Sequence, residues 1–233
     1  MAMKVPSAII LDLGGVLVDS APAIAEGYRR GFEIEGLKLP FTARQIGYLR
    51  GIGKYNTHTS AIKALLSLLK SGARLDEILW QDKAEQILDT LVENELSEED
   101  GSIVTAIYAT SDRFYRSDES SEYVTEFPGV REGIAALKAK GIKLGIVSNT
   151  ESWRVRMLLN RIGGPHFDVI LASDTVIEKK PSGAGILQAI SALGAEPSGT
   201  YYAGDTLKDI QAARHAGCKS GGQAAGLQRL SLL

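Results

Sequence analysis

The sequence predicts an α/β protein: a mostly parallel sheet flanked by helices, interrupted near its start by an all-helical segment. Three observations lead there. Over the second half of the chain, short apolar runs of strand length alternate with stretches of helix length. Each of those stretches is closed by a glycine, the residue that most readily ends a helix. The first half, after one apolar run, holds no convincing strand. Alternation of this kind builds crossover units, and ligands of such sheets sit beyond the carboxyl ends of the strands.

Residues 8 to 11, Ala-Ile-Ile-Leu, form an apolar run that stops at Asp12 and two glycines, which reads as a strand buried on both faces meeting a tight turn. Strands are likewise expected over Lys143 to Val147, Phe167 to Ala172 and Thr200 to Ala203. Helices are expected over Val130 to Lys140, Trp153 to Ile162, Ser182 to Leu193 and Leu207 to Ala216. Between about Ser20 and Glu126 the pattern changes: Ile62, Leu65, Leu66 and Leu69, then Ile78, Leu79, Ile87, Leu88, Leu91 and Val92, recur at helical spacing. Pro128-Gly129 marks the return to the sheet. The expected division is residues 1–19 with 127–233 as a core and 20–126 as a helical domain, in which Trp80, Phe114 and Tyr115 are read as interior. His166 and His215 are read as structural or surface residues, and residues 223–233 as a last strand, a last helix or a frayed end.

Bulk composition narrows the function classes. With 26 basic and 28 acidic residues the formal net charge is −2, so no global basic field would recruit nucleic acid or an anionic membrane. Cys218 is the only cysteine, which removes a disulfide framework, and with three scattered histidines it cannot close a zinc site. Asp12, Gly14 and Gly15 interrupt the N-terminal apolar stretch, so neither a signal peptide nor a membrane span is expected, and a reducing cytoplasm fits. A monomer or homodimer is expected.

Four polar groups follow the apolar runs: Asp12, Ser148-Asn149, Lys180-Pro181, and Gly204-Asp205 with Asp209. Each alone is weak, since aspartates before glycine make turns, Ser and Asn cap helices, and carboxylates four apart can simply face solvent. Their conjunction is not weak. Asp12-Leu-Gly-Gly-Val-Leu-Val-Asp-Ser20, Ser148-Asn-Thr150, Lys180-Pro181 and Gly204-Asp-Thr-Leu-Lys-Asp209 resemble, in order, the four signatures of the haloacid dehalogenase-like hydrolase superfamily. The resemblance spans residue 8 to about 218, and the insert lies where members with an all-helical cap carry it.

That resemblance implies a Rossmann-like core with a mobile cap and a Mg²⁺-dependent phosphohydrolase acting on a small phosphorylated metabolite through an aspartyl-phosphate. Asp12 would be the nucleophile. Asp12, Asp205 and the carbonyl of Gly14 would hold Mg²⁺, with Asp209 bracing that shell or ligating through water. A phosphoester dianion repels a carboxylate, so Lys180 would shield the attack, while Ser148, the backbone of Asn149 and the amides around Gly14 and Gly15 would donate to the phosphate. In the cap, which would close over the substrate, Arg50 and Lys54 are the candidate specificity residues.

One position departs from the pattern. Most phosphatases of this superfamily carry a second Asp, as general acid and base, where this chain has Gly14. The first expectation is therefore a phosphatase whose leaving group needs little help, or which takes a proton from water, Asp19, Thr206 or His58. Two alternatives stand beside it: a non-catalytic or weakly active module that binds phosphorylated ligands, and a phosphonatase-like C–P hydrolase using Lys54 as a Schiff base.

Overall fold

The structure is a computed structural model and describes residues 5–164 and 167–221. Chain contacts divide it into two compact units, Met1–Asp19 with Val124–Leu233, and Ser20–Tyr123.

The first unit is built on strands β1 (Ala8–Leu11), β4 (Lys143–Val147), β5 (Val169–Leu171), β6 (Thr200–Ala203) and β7 (Lys219–Gly221), in the order β5-β4-β1-β6-β7. All pairings in this sheet are parallel. Helices α7 (Val130–Ala139), α8 (Ser152–Arg161), α9 (Ala184–Ala192) and α10 (Leu207–His215) make the crossovers. Ala8 and Ile10, which share one face of β1, are fully buried in one cluster with Ile186, Ala189, Ala212 and Ala213. A separate antiparallel pair joins β2 (Val18–Asp19) to β3 (Thr125–Glu126), where the chain leaves the sheet and returns.

β1 is the point at which the strand order reverses, since the chain goes next to β4 on one side and later to β6 on the other. A parallel sheet opens a crevice at such a point, beyond the carboxyl ends of the strands.

The α/β class and the alternation expected from sequence are both present, and three details differ. The apolar run from Phe167 is strand only over Val169–Leu171; just before it, Asp168 accepts the N–H of Leu144 (2.7 Å) and Lys138 (2.8 Å) on its carboxylate. β3 and β7 have no apolar pattern and form because a neighbouring strand edge is there to pair with. Trp80 is not interior: it is 55% exposed at the end of α4, edge-on to Tyr48. The readings of His166 and of residues 223–233 lie outside the described residues.

The second unit holds α1 (Ala21–Ile34), α2 (Ala43–Arg50), α3 (His58–Ser71), α4 (Leu75–Leu79), α5 (Ala84–Glu95) and α6 (Asp100–Tyr115). Thr42 and Gln45 close a reciprocal capping box on α2, and Thr57 caps α3. Tyr28, Phe32, Ile46, Leu49, Ile62 and Leu65 are fully buried in its core. Gly27 and Gly31 let α1 press onto α6: a Cβ on Gly31 would stand 2.7 Å from the carbonyl oxygen of Ile107, and Ser111 Oγ donates to the carbonyl of Gly27 at 2.9 Å.

His58 is enclosed by rings, with Tyr28, Tyr115 and Tyr108 edge-on at 5.6, 5.8 and 6.4 Å between centroids. Its Nδ1 shares a hydrogen bond with the Tyr28 hydroxyl at 3.1 Å, and that hydroxyl also accepts from Arg50 at 3.4 Å. Burial, helped by the Arg50 charge, pushes the imidazole down to about 4. A group so lowered is neutral in the fold and charged in the unfolded chain between about 6.5 and 4, so the unfolded state binds the extra proton and stability falls as pH drops through that window. We expect chemical denaturation at pH 7.5 and pH 4.5 to differ by up to about 3 kcal/mol from this residue. A His58→Gln variant, followed by circular dichroism over the same range, should lose that component.

Candidate active site

Register brings the candidate residues to one edge. Leu11 pairs with Ile146 on one side and Ala203 on the other. Asp12 therefore stands level with Val147 and Gly204, with Ser148 and Asp205 one residue further out on the flanking strands. The Asp12 N–H donates to the carbonyl of Ala203 at 2.8 Å, and its Oδ1 accepts the N–H of Leu13 at 2.7 Å. The chain then turns sharply: Gly14 bridges Val18, and the N–H of Gly15 donates to the carbonyl of Val18 at 2.9 Å. Gly15 has φ +74°, and a Cβ there would lie 1.9 Å from an Asp205 carboxylate oxygen. Bare backbone is what allows Asp205 to close on the turn.

Lys180 comes from the loop between β5 and α9, not from a strand end as the sequence suggests. The Asn149 side chain clamps that loop at two points, accepting the N–H of Lys180 and donating to its carbonyl, both at 3.0 Å. The peptide to Pro181 is cis, and His215 bonds the Pro181 carbonyl at 2.9 Å, consistent with a structural role for that histidine.

All three ammonium protons of Lys180 are taken: by Asp12 Oδ2 at 2.9 Å, Asp209 Oδ1 at 2.6 Å and the Tyr202 hydroxyl at 2.9 Å. Asp209 is equally saturated. Its Oδ1 accepts from Lys180 and from the Tyr202 hydroxyl at 2.8 Å, and its Oδ2 accepts the N–H of Thr206 at 3.0 Å and the Thr206 hydroxyl. The bond from the Thr206 N–H, with the reciprocal one from the Asp209 N–H to the Thr206 hydroxyl oxygen at 3.4 Å, closes a capping box on α10. Gly204 makes room, because a Cβ there would fall 2.3 Å from the Asp209 side chain.

Carboxylate oxygens of Asp12, Asp205 and Asp209 all lie within 4.8 Å of one another. Burial, opposed by Lys180 and reinforced by Asp209, holds Asp12 above the usual carboxylate range. Burial also acts on Asp209, but the Lys180 charge and its hydrogen bonds outweigh it and pull that carboxyl down. Asp205 is pushed up to about 7 by burial and by the charges of Asp12 and Asp209. Lys180, despite burial, is raised by the same two carboxylates and stays charged. One ammonium among three carboxylates leaves an excess of negative charge, centred on Asp205, which has no ion-pair partner among the described residues. A hard divalent cation with oxygen ligands fits that donor set. Because the lone pairs of Asp209 are spent on protein donors, Asp12 and Asp205 are the carboxylates left to face such an ion.

Asp12, Lys180, Asp205 and Asp209 are thus brought together, with Ser148 and Asn149 beside them. Ser148 is buried and its Oγ accepts the N–H of Thr150 at 3.3 Å, which leaves its proton free to donate. The backbone N–H of Asn149 has no partner among the described residues. Arg50 and Lys54 belong to the other unit and are engaged there. Arg50 donates to the carbonyl of Asn56 at 2.9 Å. The Lys54 ammonium pairs with Asp89 at 2.9 Å, a contact that raises its pKa. A Schiff-base lysine needs a neutral amine, so this pairing disfavours the C–P hydrolase alternative. Two suggested proton sources are also spent, since the Thr206 hydroxyl serves Asp209 and His58 is buried and neutral.

Tyr202 escaped the sequence reading altogether. The signal was present: a tyrosine at an interior strand position needs a partner for its hydroxyl, and it lies two residues before Gly204.

The chain is also similar to known proteins. A family model described as haloacid dehalogenase-like hydrolase matches residues 9–222. A phosphoglycolate phosphatase of Nitrosococcus oceani is 30% identical over 92% of this chain and 82% of its own length. One from Shigella boydii is 30% identical over 94% and 81%. Among solved structures, a haloacid dehalogenase-like hydrolase proposed from Bacteroides fragilis superposes with a TM-score of 0.61 at 25% identity, covering 97% of this chain and 93% of that one.

The contact between Gly15 and Asp205 makes a direct prediction. Gly15→Ala adds a side chain at positive φ and against a carboxylate, which should cost about 1–3 kcal/mol of stability. Displacing Asp205 should also weaken divalent-cation binding about tenfold or more, read by isothermal titration calorimetry.

Proposed function

This chain belongs to the haloacid dehalogenase-like hydrolases and acts as a phosphatase on phosphoric monoesters; we propose that it does so with Mg²⁺, through a phosphorylated Asp12, on a small phosphorylated metabolite. The observation that carries the reading is the convergence of three carboxylates within 4.8 Å of one another, with the Lys180 ammonium 2.9 Å from Asp12.

Asp12 and Asp205, with the backbone carbonyl of Gly14, would hold Mg²⁺, and Asp209 braces the arrangement through Lys180 and Thr206. When bound, the ion would draw charge off the phosphoryl oxygens and so lower the repulsion met by an attacking carboxylate. Lys180 screens Asp12 from the incoming dianion. The hydroxyl of Ser148 and the backbone N–H of Asn149 donate to phosphoryl oxygens as charge develops there. An Asp12 oxygen bonds to phosphorus, the bond from phosphorus to the substrate oxygen breaks, and that oxygen leaves. Water then attacks the same phosphorus, releasing phosphate and restoring the Asp12 carboxylate while its proton passes to solvent.

Gly14 offers no proton to the departing oxygen. Substrates whose leaving group is already stable, a sugar 1-phosphate or an acyl phosphate, suit that deficit, with water protonating the rest. The relatives named phosphoglycolate phosphatase make 2-phosphoglycolate the first metabolite to assay, and as an alkyl phosphate with a poor leaving group it tests that deficit directly. The helical unit, with Arg50 and Lys54, is the proposed source of substrate choice.

Phosphate release should depend on Mg²⁺, cease with a chelator and return when the ion is restored; Asp12→Asn should reduce it by about 10³-fold or more. Turnover equal with and without the ion, or undiminished in Asp12→Asn, would overturn the reading. Gly14→Asp should speed alkyl phosphates by roughly tenfold or more while changing aryl phosphates little, because only the poor leaving group needs the added acid.

A further inference from the structure

Tyr202 is 1% exposed in the middle of the core, yet its hydroxyl lies within hydrogen-bond reach of three groups: Lys180 Nζ at 2.9 Å, Asp209 Oδ1 at 2.8 Å and the carbonyl of Val147 at 3.2 Å. We propose that Tyr202 is a positioning residue for phosphoryl transfer, its hydroxyl fixing the Lys180 ammonium between Asp12 and Asp209. The inference rests on the reading of Asp12 as nucleophile and Lys180 as its cationic partner.

The argument begins with the lysine. An ammonium on a four-carbon stem is a compact charge whose direction is set by whatever accepts its protons. Here two acceptors are carboxylates at unequal distances, 2.9 Å to Asp12 and 2.6 Å to Asp209, so the ammonium is drawn toward Asp209 and away from the reacting group. A third acceptor in a different direction converts that pull into a tripod. The third acceptor must also be neutral, because another carboxylate would add to a site already over-supplied with negative charge and repel the substrate phosphate. A tyrosine hydroxyl satisfies both conditions.

It also closes a ring of bonds. Lys180 donates to the tyrosine oxygen, the tyrosine proton goes to Asp209 Oδ1 at the shorter of its two options, and Asp209 Oδ1 accepts from Lys180. Every member therefore limits the other two. The ring is carried by a strand residue whose backbone pairs with Ile10, two residues before Asp12, so the lysine is measured from the same sheet that carries the nucleophile. Displacing a catalytic group by about 1 Å costs on the order of 10²-fold in rate.

Tyr202→Phe keeps the ring and deletes only the hydroxyl. With p-nitrophenyl phosphate at saturating Mg²⁺, we expect kcat to fall about tenfold or more, with Tm close to wild type. On a Lys180→Met background, assayed at enzyme concentrations high enough to follow residual turnover, the same substitution should add no further loss, because its effect passes through the lysine. Tyr202→Gln, whose amide can both accept and donate, should recover part of the rate; it replaces Tyr202→Phe should the latter melt below the assay temperature. A rate within about twofold of wild type in Tyr202→Phe would overturn the proposal. So would a loss repeated in full without the lysine, or a folded Tyr202→Gln as slow as Lys180→Met. Failure of the underlying reading looks different: Asp12→Asn would then remain active, whatever Tyr202 does.

Discussion

Charge imbalance at the end of a buried strand governs this molecule. Two like charges about 4.8 Å apart repel by about 3.5 kcal/mol at an effective dielectric near 20, and three carboxylates crowd to within that distance. Lys180 compensates Asp12 and Asp209, whose oxygens it touches, and leaves Asp205 to carry the surplus. Burial, with the charges of Asp12 and Asp209 added to it, pushes the Asp205 carboxyl up to about 7. A fold does not keep such a cluster for its own stability. Its chemistry suits the divalent cation proposed for it.

The rest of the core serves that arrangement by subtraction as much as by contact. Gly15 and Gly204 each stand where a side chain would collide with a carboxylate, so the acidic groups can lie directly on backbone. Asn149 spends both ends of its amide on the main chain at Lys180. The remaining glycine of the turn, Gly14, has a different meaning. In the proposed mechanism it would leave the metal carbonyl in place while offering no proton carrier, and so would separate the binding of a phosphoryl group from assistance to its departure.

What was legible from sequence follows from where information is local. β1, β4 and β6 are apolar runs that stop at polar residues, so their limits and the groups after them could be read off directly, and the order of those groups pointed to the family. β7 could not be read, because Lys219-Ser-Gly221 becomes a strand only by pairing with Tyr201 to Ala203. Trp80 was misjudged because size alone argued for the interior, whereas its place at a helix end leaves it against Tyr48 and solvent. Lys180 was recognised by its neighbour Pro181, but the clamp from Asn149 and the tripod with Tyr202 are relations across the sheet, and no spacing along the chain encodes them.

Asp209 ties two otherwise separate properties together. One of its oxygens holds Lys180, and the other holds the first turn of α10 through Thr206. Helix ends are ordinarily the first parts of a fold to fray on warming, and usually at no cost to chemistry. In this protein one carboxylate joins the two: under the proposed reading, unwinding a single turn would loosen Asp209 from the ammonium that touches Asp12, so the order of a helix end and the placement of a catalytic charge are one property.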